Sequence, residues 1–419
     1  MSCLPLDALP IYLSTLFCPK PKALHSKLII NPCKSHLQSE RGLQFDVGDT
    51  FFRRESATGR DLGVLSAALR RNSEGSLRVL DAMCGCGIRS LRYLEEANAD
   101  FVLANDANDC IRGIILGNLS RVSRDSSERW AVTHSDATRV LTECYLKRDY
   151  FDFIDVDSFG SDSSFLRAAV GAVKFGGMLY VTSTDGYSSG GNRPGRCLAA
   201  YGAYVQRMPY SNEIGLRMLI GGVIREALTA GHHVVPLFSY YSYHGPVFRV
   251  LLKINNGLPS DQRHYGFVSY CSQCGDSRAF PWEELGKVSC SCVANVREHS
   301  PAVSGPVWTG PLHKESHLRE MLNLANEWGW IGNDTGRDLE KLLNQMIDEC
   351  DPNLPVGYIK VDEIASRAKV NSPPLNSILT SLQKRGYAAS RSHIASNAIK
   401  TNCRMDGCVR IVKELQQPG

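Results

Sequence analysis

The chain has 419 residues, 43% hydrophobic and 21% charged, which suits a soluble globular protein of two or three domains and argues against a disordered one. A formal net charge of +4 excludes a uniformly basic surface, so any nucleic-acid contact must be a local patch. No uninterrupted apolar run approaches the ~20 residues that a membrane span needs, and 15 cysteines with no secretory signal point to reduced thiols inside the cell.

Residues 1–41 differ from the rest. Asp7 is the one acid before Glu40, while Lys20, Lys22, Lys27 and Lys34 lie among Ser, Pro and Leu. This composition suggests an organellar transit peptide for plastid or mitochondrion; a plain disordered extension, with the protein in nucleus or cytosol, is the alternative.

From Phe51 the pattern becomes regular. Helical spacing runs over Leu62–Leu69, followed by a strand at Arg78–Ala82 and a helix at Ile88–Ala97. Between them lies Asp81-Ala82-Met83-Cys84-Gly85-Cys86-Gly87, a strand-to-helix turn in which Gly85 and Gly87 let the backbone bend beside a ligand. A dinucleotide site would need a third glycine where Ser90 stands. An acid at the strand end followed by spaced glycines suits S-adenosylmethionine better.

Further strands are expected at Phe101–Asn105, Trp130–His134, Phe151–Val156 and Met178–Ser183. Helices are expected at Cys110–Leu119 and Phe165–Val173, the latter stopped by Gly176-Gly177. Strands alternating with helices imply an α/β fold with a parallel sheet, whose ligands bind beyond the carboxyl ends of the strands. Asp81, Asp106, Asp136 and Asp157 all fall at such ends. A long helix, Asn212–Ala230, then precedes two strands, His232–Tyr243 and Val247–Ile254, close enough to pair antiparallel. That arrangement resembles a class I methyltransferase sheet, over a domain of residues 42–255.

Residues 256–419 have another texture, read as a C-terminal α+β domain. Cys271-Ser-Gln-Cys274 and Cys290-Ser-Cys292 are fifteen residues apart, a spacing that suits one structural zinc, although Cys-x-Cys strains the geometry. Reduced thiols without metal are the alternative. Helices follow at Leu318–Trp328 and Arg337–Glu349. Helix Asp362–Lys369, helix Pro374–Lys384 and strand Tyr387–His393 then form a winged-helix-like order. Lys384, Arg385, Arg391 and Lys400 near its end suit phosphate contacts or a solvated face.

Taken together, the chain resembles the tRNA (guanine(26)-N2)-dimethyltransferase family. The resemblance rests on Gly59-Arg60-Asp61, Leu80-Asp81-Ala82 with Gly87-Ile88-Arg89, Asn105-Asp106, Asp155-Val156-Asp157-Ser158-Phe159-Gly160, Thr182-Ser183-Thr184-Asp185-Gly186, Asn212-Glu213-Ile214-Gly215-Leu216-Arg217 and Gly305-Pro306-Val307-Trp308-Thr309-Gly310-Pro311-Leu312. It implies transfer of methyl groups from S-adenosylmethionine to a guanine N2 in tRNA, with tRNA as partner, no membrane and no obligate protein partner. It also implies cofactor contacts at Arg60, Arg89, Asp106, Asp136 and Ala137, beside Asp81, Gly85 and Gly87 from the turn. Asp106 would take the ribose hydroxyls, Asp136 and Ala137 the adenine, Arg60 and Arg89 the methionine carboxylate. Helix capping is the alternative for Asp106 and Asp136.

Asp157 is the expected catalytic group, with Phe159 stacking on the base and Phe51 walling the pocket; core packing is the alternative for both rings. Asp155 ranks second, as structural. In the family Pro stands where this chain has Ser158, and its loss is expected to loosen the loop. A weakened tRNA-binding protein or RNA chaperone is therefore the second functional expectation.

Overall fold

The computed structural model describes residues 37–122, 128–258, 263–290, 292, 300–332 and 337–416. The transit-peptide expectation for residues 1–41 lies almost wholly outside them. Among the described residues no helix is long and apolar enough to cross a membrane.

The chain opens with a hairpin, β1 (Leu37–Glu40) and β2 (Leu43–Asp46), so the fold reaches back into the segment read as a leader. Then come α1 (Ala57–Glu74), β3 (Arg78–Asp81), α2 (Ile88–Glu95), β4 (Phe101–Asn105), α3 (Arg112–Leu119), β5 (Trp130–Thr133), α4 (Ala137–Lys147), β6 (Phe151–Asp157), α5 (Ser163–Ala172) and β7 (Val173–Ser183). Two short helices, α6 (Gly186–Ser189) and α7 (Pro194–Tyr201), lead to α8 (Ser211–Thr229), β8 (His232–Ser242) and β9 (Val247–Asn256).

Seven strands form one sheet in the order β5-β4-β3-β6-β7-β9-β8. The first five run parallel, and β9 pairs antiparallel with both β7 and β8. Strands such as Phe151–Val156 are buried along their whole length, because helices cover both faces. One core holds α1, α2 and α3 through Leu62, Leu65, Leu91 and Ile115. The other holds α4, α5 and α8 through Leu141, Leu166 and Leu219.

Two expectations in this half are corrected. Gly176-Gly177 does not end a helix. The helix closes at Ala172, and the glycines sit inside β7 at a register shift opposite Phe151 and Phe153. A Cβ on Gly177 would lie 2.7 Å from the Lys174 carbonyl and 3.0 Å from that of Asp152, so the bulge admits only glycine there. Helix α4 was not expected. Asp136 caps it, accepting from the backbone N–H groups of Thr138 and Arg139 at 2.9 and 3.2 Å, and Val140, Leu141 and Cys144 form its buried stripe.

The second half wraps back onto the first. β10 (Tyr265–Tyr270), β11 (Ser277–Phe280) and β12 (Ala302–Trp308) make a three-stranded antiparallel sheet whose β12 packs on α8. Helices α9 (Glu315–Glu327) and α10 (Arg337–Asp348) join the first core, where Leu318 and Leu343 are fully buried. A smaller module follows: β13 (Ile359–Lys360), α11 (Val361–Ala368), α12 (Leu375–Lys384), β14 (Ala389–Arg391), β15 (Ala398–Thr401) and α13 (Met405–Glu414). It has its own core around Ile364, Ile378, Leu382 and Ile411.

Lys400 belongs to this module but not to its surface. It is buried, and its Nζ donates to Glu213 on α8 at 2.7 Å, so it is withdrawn from the proposed phosphate contacts. Glu213 also accepts from Arg217 Nε and the Gly357 N–H, each at 2.8 Å. Burial opposes ionisation of Glu213, yet the charges of Lys400 and Arg217 hold its carboxyl below the usual range. Glu213→Ala strands two buried cations at once. It should cost about 3–5 kcal/mol, read as a lower urea midpoint for the whole chain; wild-type unfolding would show that Glu213 does not tie the module to the sheet.

Candidate functional site

A cavity of about 720 Å³ opens at the carboxyl ends of β3, β4, β6 and β7, closed on the far side by the start of β9. Its floor is the turn after β3. Gly85 and Gly87 adopt positive φ (55° and 83°), and helix α2 starts directly beyond them. A Cβ on Gly85 would meet no protein atom within 4 Å, so the space it would fill belongs to the cavity. At the end of β4, Asp106 lines the same cavity. Its Oδ2 accepts from the Gly85 N–H at 3.0 Å and its Oδ1 from Asn108 N–H at 2.9 Å.

The chemistry of the site is organised by Arg89. Its Nη1 donates to Asp155 Oδ2 at 2.9 Å and its Nη2 to Asp157 Oδ2 at 2.6 Å. Asp155 is fully buried, accepts a second bond from Tyr93 OH at 2.7 Å and does not reach the cavity. Asp157, at the end of β6, lines the cavity with its side chain 28% exposed. Partial burial works against its ionisation. The Arg89 and Arg249 charges outweigh that and hold the carboxyl down at about 2. Asp81 lies beneath the turn, fully buried, bonded to Ser90 Oγ at 2.7 Å. Burial, and then the charge of Asp155, push its carboxyl up.

The loop after Asp157 is tied down at several points. Ser158 is buried and donates from Oγ to the Thr182 carbonyl at 3.1 Å. Gly160 N–H donates to Thr184 Oγ1 at 2.6 Å, and Thr184 N–H to the Gly160 carbonyl at 2.8 Å. The expectation that Ser158 loosens this loop is therefore corrected, because its hydroxyl supplies a link to β7 that Pro cannot make. The motive for a weakened, merely binding protein goes with it. Phe159, 70% exposed, meets Phe51, 59% exposed, edge to face at 4.7 Å. Both rings line the cavity mouth and neither is core.

Of the expected cofactor residues, Arg60, Gly85, Arg89 and Asp106 converge on this cavity. Asp81 and Gly87 shape the turn from behind it, while Asp136 caps α4 on an exposed edge beside buried Ala137, and neither lines the cavity. The Arg60 guanidinium is committed to Glu40, with Nε on Oε2 at 2.8 Å, and to the Arg53 carbonyl at 3.0 Å. Glu40 escaped notice because it sits at the boundary of the atypical first segment. Arg53, Thr182 and Arg249 also line the cavity and were not anticipated. For Arg249 a signal existed: it is the one charge within the apolar run Val247-Phe248-Arg249-Val250-Leu251-Leu252.

Away from the cavity, the four expected cysteines converge. Cys271 and Cys292 Sγ are 3.5 Å apart, Cys274 and Cys290 3.4 Å, Cys290 and Cys292 3.2 Å, and all four sulfurs lie within 4.8 Å of one another. Tetrahedral zinc with sulfur at about 2.3 Å needs sulfur–sulfur edges of about 3.8 Å, so the set fits, and the Cys-x-Cys spacing does not prevent it. A second cluster, His313, Glu349 and His393, is a poorer metal site. His313 Nδ1 accepts from the Ser239 N–H at 3.3 Å, which puts the imidazole proton on Nε2, the atom that faces Glu349. It reads as a buried lock joining α10 to the strands around it. On the C-terminal module, Lys384 and Arg385 are exposed; Arg385 pairs with Glu414 and Arg391 with Asn376 Oδ1.

Comparison with known proteins agrees with this geometry. A curated tRNA (guanine(26)-N(2))-dimethyltransferase of Pyrococcus furiosus is 30% identical over 379 residues, covering 87% of this chain and 92% of that protein. The Thermococcus kodakarensis protein of the same name is 30% identical over 378 residues, covering 87% and 93%. The structure of Trm1 from Pyrococcus horikoshii with S-adenosyl-L-methionine superposes with a TM-score of 0.74 at 25% identity, covering 90% of this chain and 99% of that one. The pattern of the N2,N2-dimethylguanosine tRNA methyltransferases matches residues 38–413, from the β1 hairpin into α13. Sheet, cavity and C-terminal module all lie within that match, and the chain belongs to the N2,N2-dimethylguanosine tRNA methyltransferase family.

Proposed function

We propose that this protein transfers methyl groups from S-adenosylmethionine to the exocyclic N2 of a guanine in tRNA, at position 26, giving N2-methyl- and N2,N2-dimethylguanosine. The observation that carries the reading is Asp157, an ionised carboxylate at the mouth of a cavity that also holds Asp106. The residues present fit the cofactor: Asp106 offers its carboxylate toward the cavity, and the open space at Gly85 leaves room beside the backbone. S-adenosylmethionine, when bound, supplies an electrophilic sulfonium methyl. Asp106 would hold the ribose hydroxyls.

Asp157 works on the guanine. The N2 lone pair is delocalised into the ring, so N2 is a poor nucleophile until an acceptor turns its N–H groups. Asp157 accepts such an N–H and fixes where the lone pair points. A carboxyl held near 2 is a weak base, but N2 becomes strongly acidic as it gains the methyl, so a weak base suffices to take the proton. Phe159 and Phe51 offer ring faces and edges to a base drawn out of its stack.

Asp157→Asn keeps the shape and removes the charge. It should lower kcat by at least about 100-fold while calorimetry shows unchanged S-adenosylmethionine affinity; near-normal turnover would remove Asp157 from this role. With Asp157 ionised down to about pH 2, kcat/KM should stay flat as pH falls from neutral through the ordinary carboxylate range, as far as the protein remains folded. An inflection there would show that Arg89 does not hold the charge.

We propose a structural zinc on Cys271, Cys274, Cys290 and Cys292. Four thiolates leave no open position, so the metal would fasten a loop and not react. Cys271→Ser should lose zinc and stability together. Folded wild-type protein free of zinc by elemental analysis would refute the site.

The C-terminal module, with two helices followed by a β-hairpin, is winged-helix-like, and we propose that its Lys384, Arg385 and Arg391 contact the tRNA backbone. Replacing all three by Ala should weaken tRNA binding and reduce the slope of log K against log salt by about 2–3. A binding curve and salt slope like the wild type's would mark these residues as a solvated face.

A further inference from the structure

Arg249 is a buried cation whose hydrogen-bonding capacity is largely unused. It sits two residues into β9, pairs in register with Thr182 of β7, and lines the cavity beside Asp157. Its buried Nε and Nη1 have no acceptor among the described residues. Its Nη2 makes one long bond, to Ser56 Oγ at 3.5 Å, and lies 3.9 Å from Asp157 Oδ1, an ion-pair distance beyond hydrogen bonding. The other two buried arginines of the wall are engaged by carboxylates, Arg60 by Glu40 and Arg89 by Asp155 and Asp157.

The fold makes room for this side chain. A Cβ on Gly59 would stand 2.8 Å from Arg249 Nε, so α1 carries a glycine where the guanidinium passes. A buried guanidinium with N–H groups unmet is costly to keep. The neighbouring carboxylate could satisfy it by a shift of under an ångström, yet Asp157 is turned to Arg89.

Position in the sheet indicates what Arg249 awaits. Asp106 and the glycine turn lie at the ends of β4 and β3, on one side of β6. β9 lies on the other, beyond β7. The cofactor cradle and Arg249 thus flank Asp157 from opposite sides, and Arg249 shares its side with the space in front of Asp157, Thr182 and Phe159. Guanine carries adjacent groups on one edge: two donors, N2–H and N1–H, then an acceptor, O6. An acceptor and a donor 3.9 Å apart are the complement of N1–H and O6.

We infer that Arg249 donates to O6 of the target guanine while Asp157 accepts from its N1–H and N2–H, so that this pair selects guanine by its Watson–Crick edge. Adenine lacks both the N2 amine and the O6 acceptor. 2-Aminopurine keeps the amine that would be methylated and lacks both O6 and the N1–H, so the contribution of Arg249 is the part of the preference for guanine that Arg249→Gln removes. A site built to bond a particular group discriminates strongly against an analogue without it, since its own buried donor is then left unmet.

This inference rests on the guanine-N2 reading, and one experiment separates the two. Full-length protein is assayed on tRNA carrying guanine or 2-aminopurine at the target position, as wild type and as Arg249→Gln, with S-adenosylmethionine affinity measured by calorimetry. The wild type should favour guanine in kcat/KM by about 100-fold or more. Arg249→Gln should fall about 100-fold on guanine and only a few-fold on 2-aminopurine, and the preference that remains is that of Asp157 for the N1–H. An equal loss on both substrates would mean that Arg249 only positions Asp157, and weakened cofactor binding would place it with the cofactor; either overturns the inference. Wild-type protein that methylates no guanine overturns the function itself. Arg249→Lys, which keeps the charge but loses the fork, is read on the same ratio and covers the case in which the glutamine variant does not fold.

Discussion

One guanidinium keeps a charge on the carboxylate that faces the cavity. Asp81 and Asp155 are fully buried and pair in register on the adjacent strands β3 and β6, where burial pushes both carboxyls up. Arg89 reaches Asp155 and Asp157. Asp81 receives only a hydroxyl, from Ser90, and its carboxyl is pushed up by burial and by the charge of Asp155. Asp157 is the member of the three that faces the cavity. A carboxylate there is thus available at neutral pH without waiting to lose a proton, and its orientation is set by a partner that is itself fixed.

That fixity depends on parts of the chain far from the cavity. Arg89 lies on α2, whose buried Arg92 bonds Asp61 of α1 at 2.7 Å and Glu96 at 2.7 Å. Glu40 of the opening hairpin bridges Arg92 and Arg60, so β1 pins the wall of the cavity through α1 and α2 together. Helix α9 closes over α1 from the other side, with His317 Nε2 3.1 Å from Ser66 Oγ. A network of this kind gains little over well-packed apolar groups in net stability, but losing one member strands the rest. Its use here is positional: it holds two helices in the one arrangement that puts Arg89 between its carboxylates.

The sheet was legible in the sequence because its strands are continuous apolar runs ended by Asp, a local pattern that burial on both faces imposes. The cysteine pairs were legible for the same reason, each pair being close in sequence. What escaped was non-local or ambiguous. Lys400 reads as a surface lysine until Glu213, 187 residues away, is found beside it. Asp136 fits a ligand or a helix cap equally well by type, and the cap it makes through Oδ1 does not decide between them. Gly176-Gly177 can stop a helix or bulge a strand, and only pairing with β6 decides. Ser158 was judged by the proline it replaces, whereas its hydroxyl acquires meaning only from the Thr182 carbonyl across the sheet.

The same contrast bears on how such a site selects its substrate. A stacking wall of Phe51 and Phe159 accepts any base, since every base has a face. The phosphate contacts proposed for the C-terminal module would place the RNA but read no base. Neither can distinguish guanine from its neighbours in the tRNA, so that choice must be made where polar groups meet the base edge. In the cavity wall the buried arginines Arg60 and Arg89 are already matched to carboxylates, and a matched pair has nothing left to offer an incoming base. On the proposed reading, base selection falls to the groups at the β6–β7–β9 side, where charge is present and buried Arg249 nitrogens have no partner among the described residues.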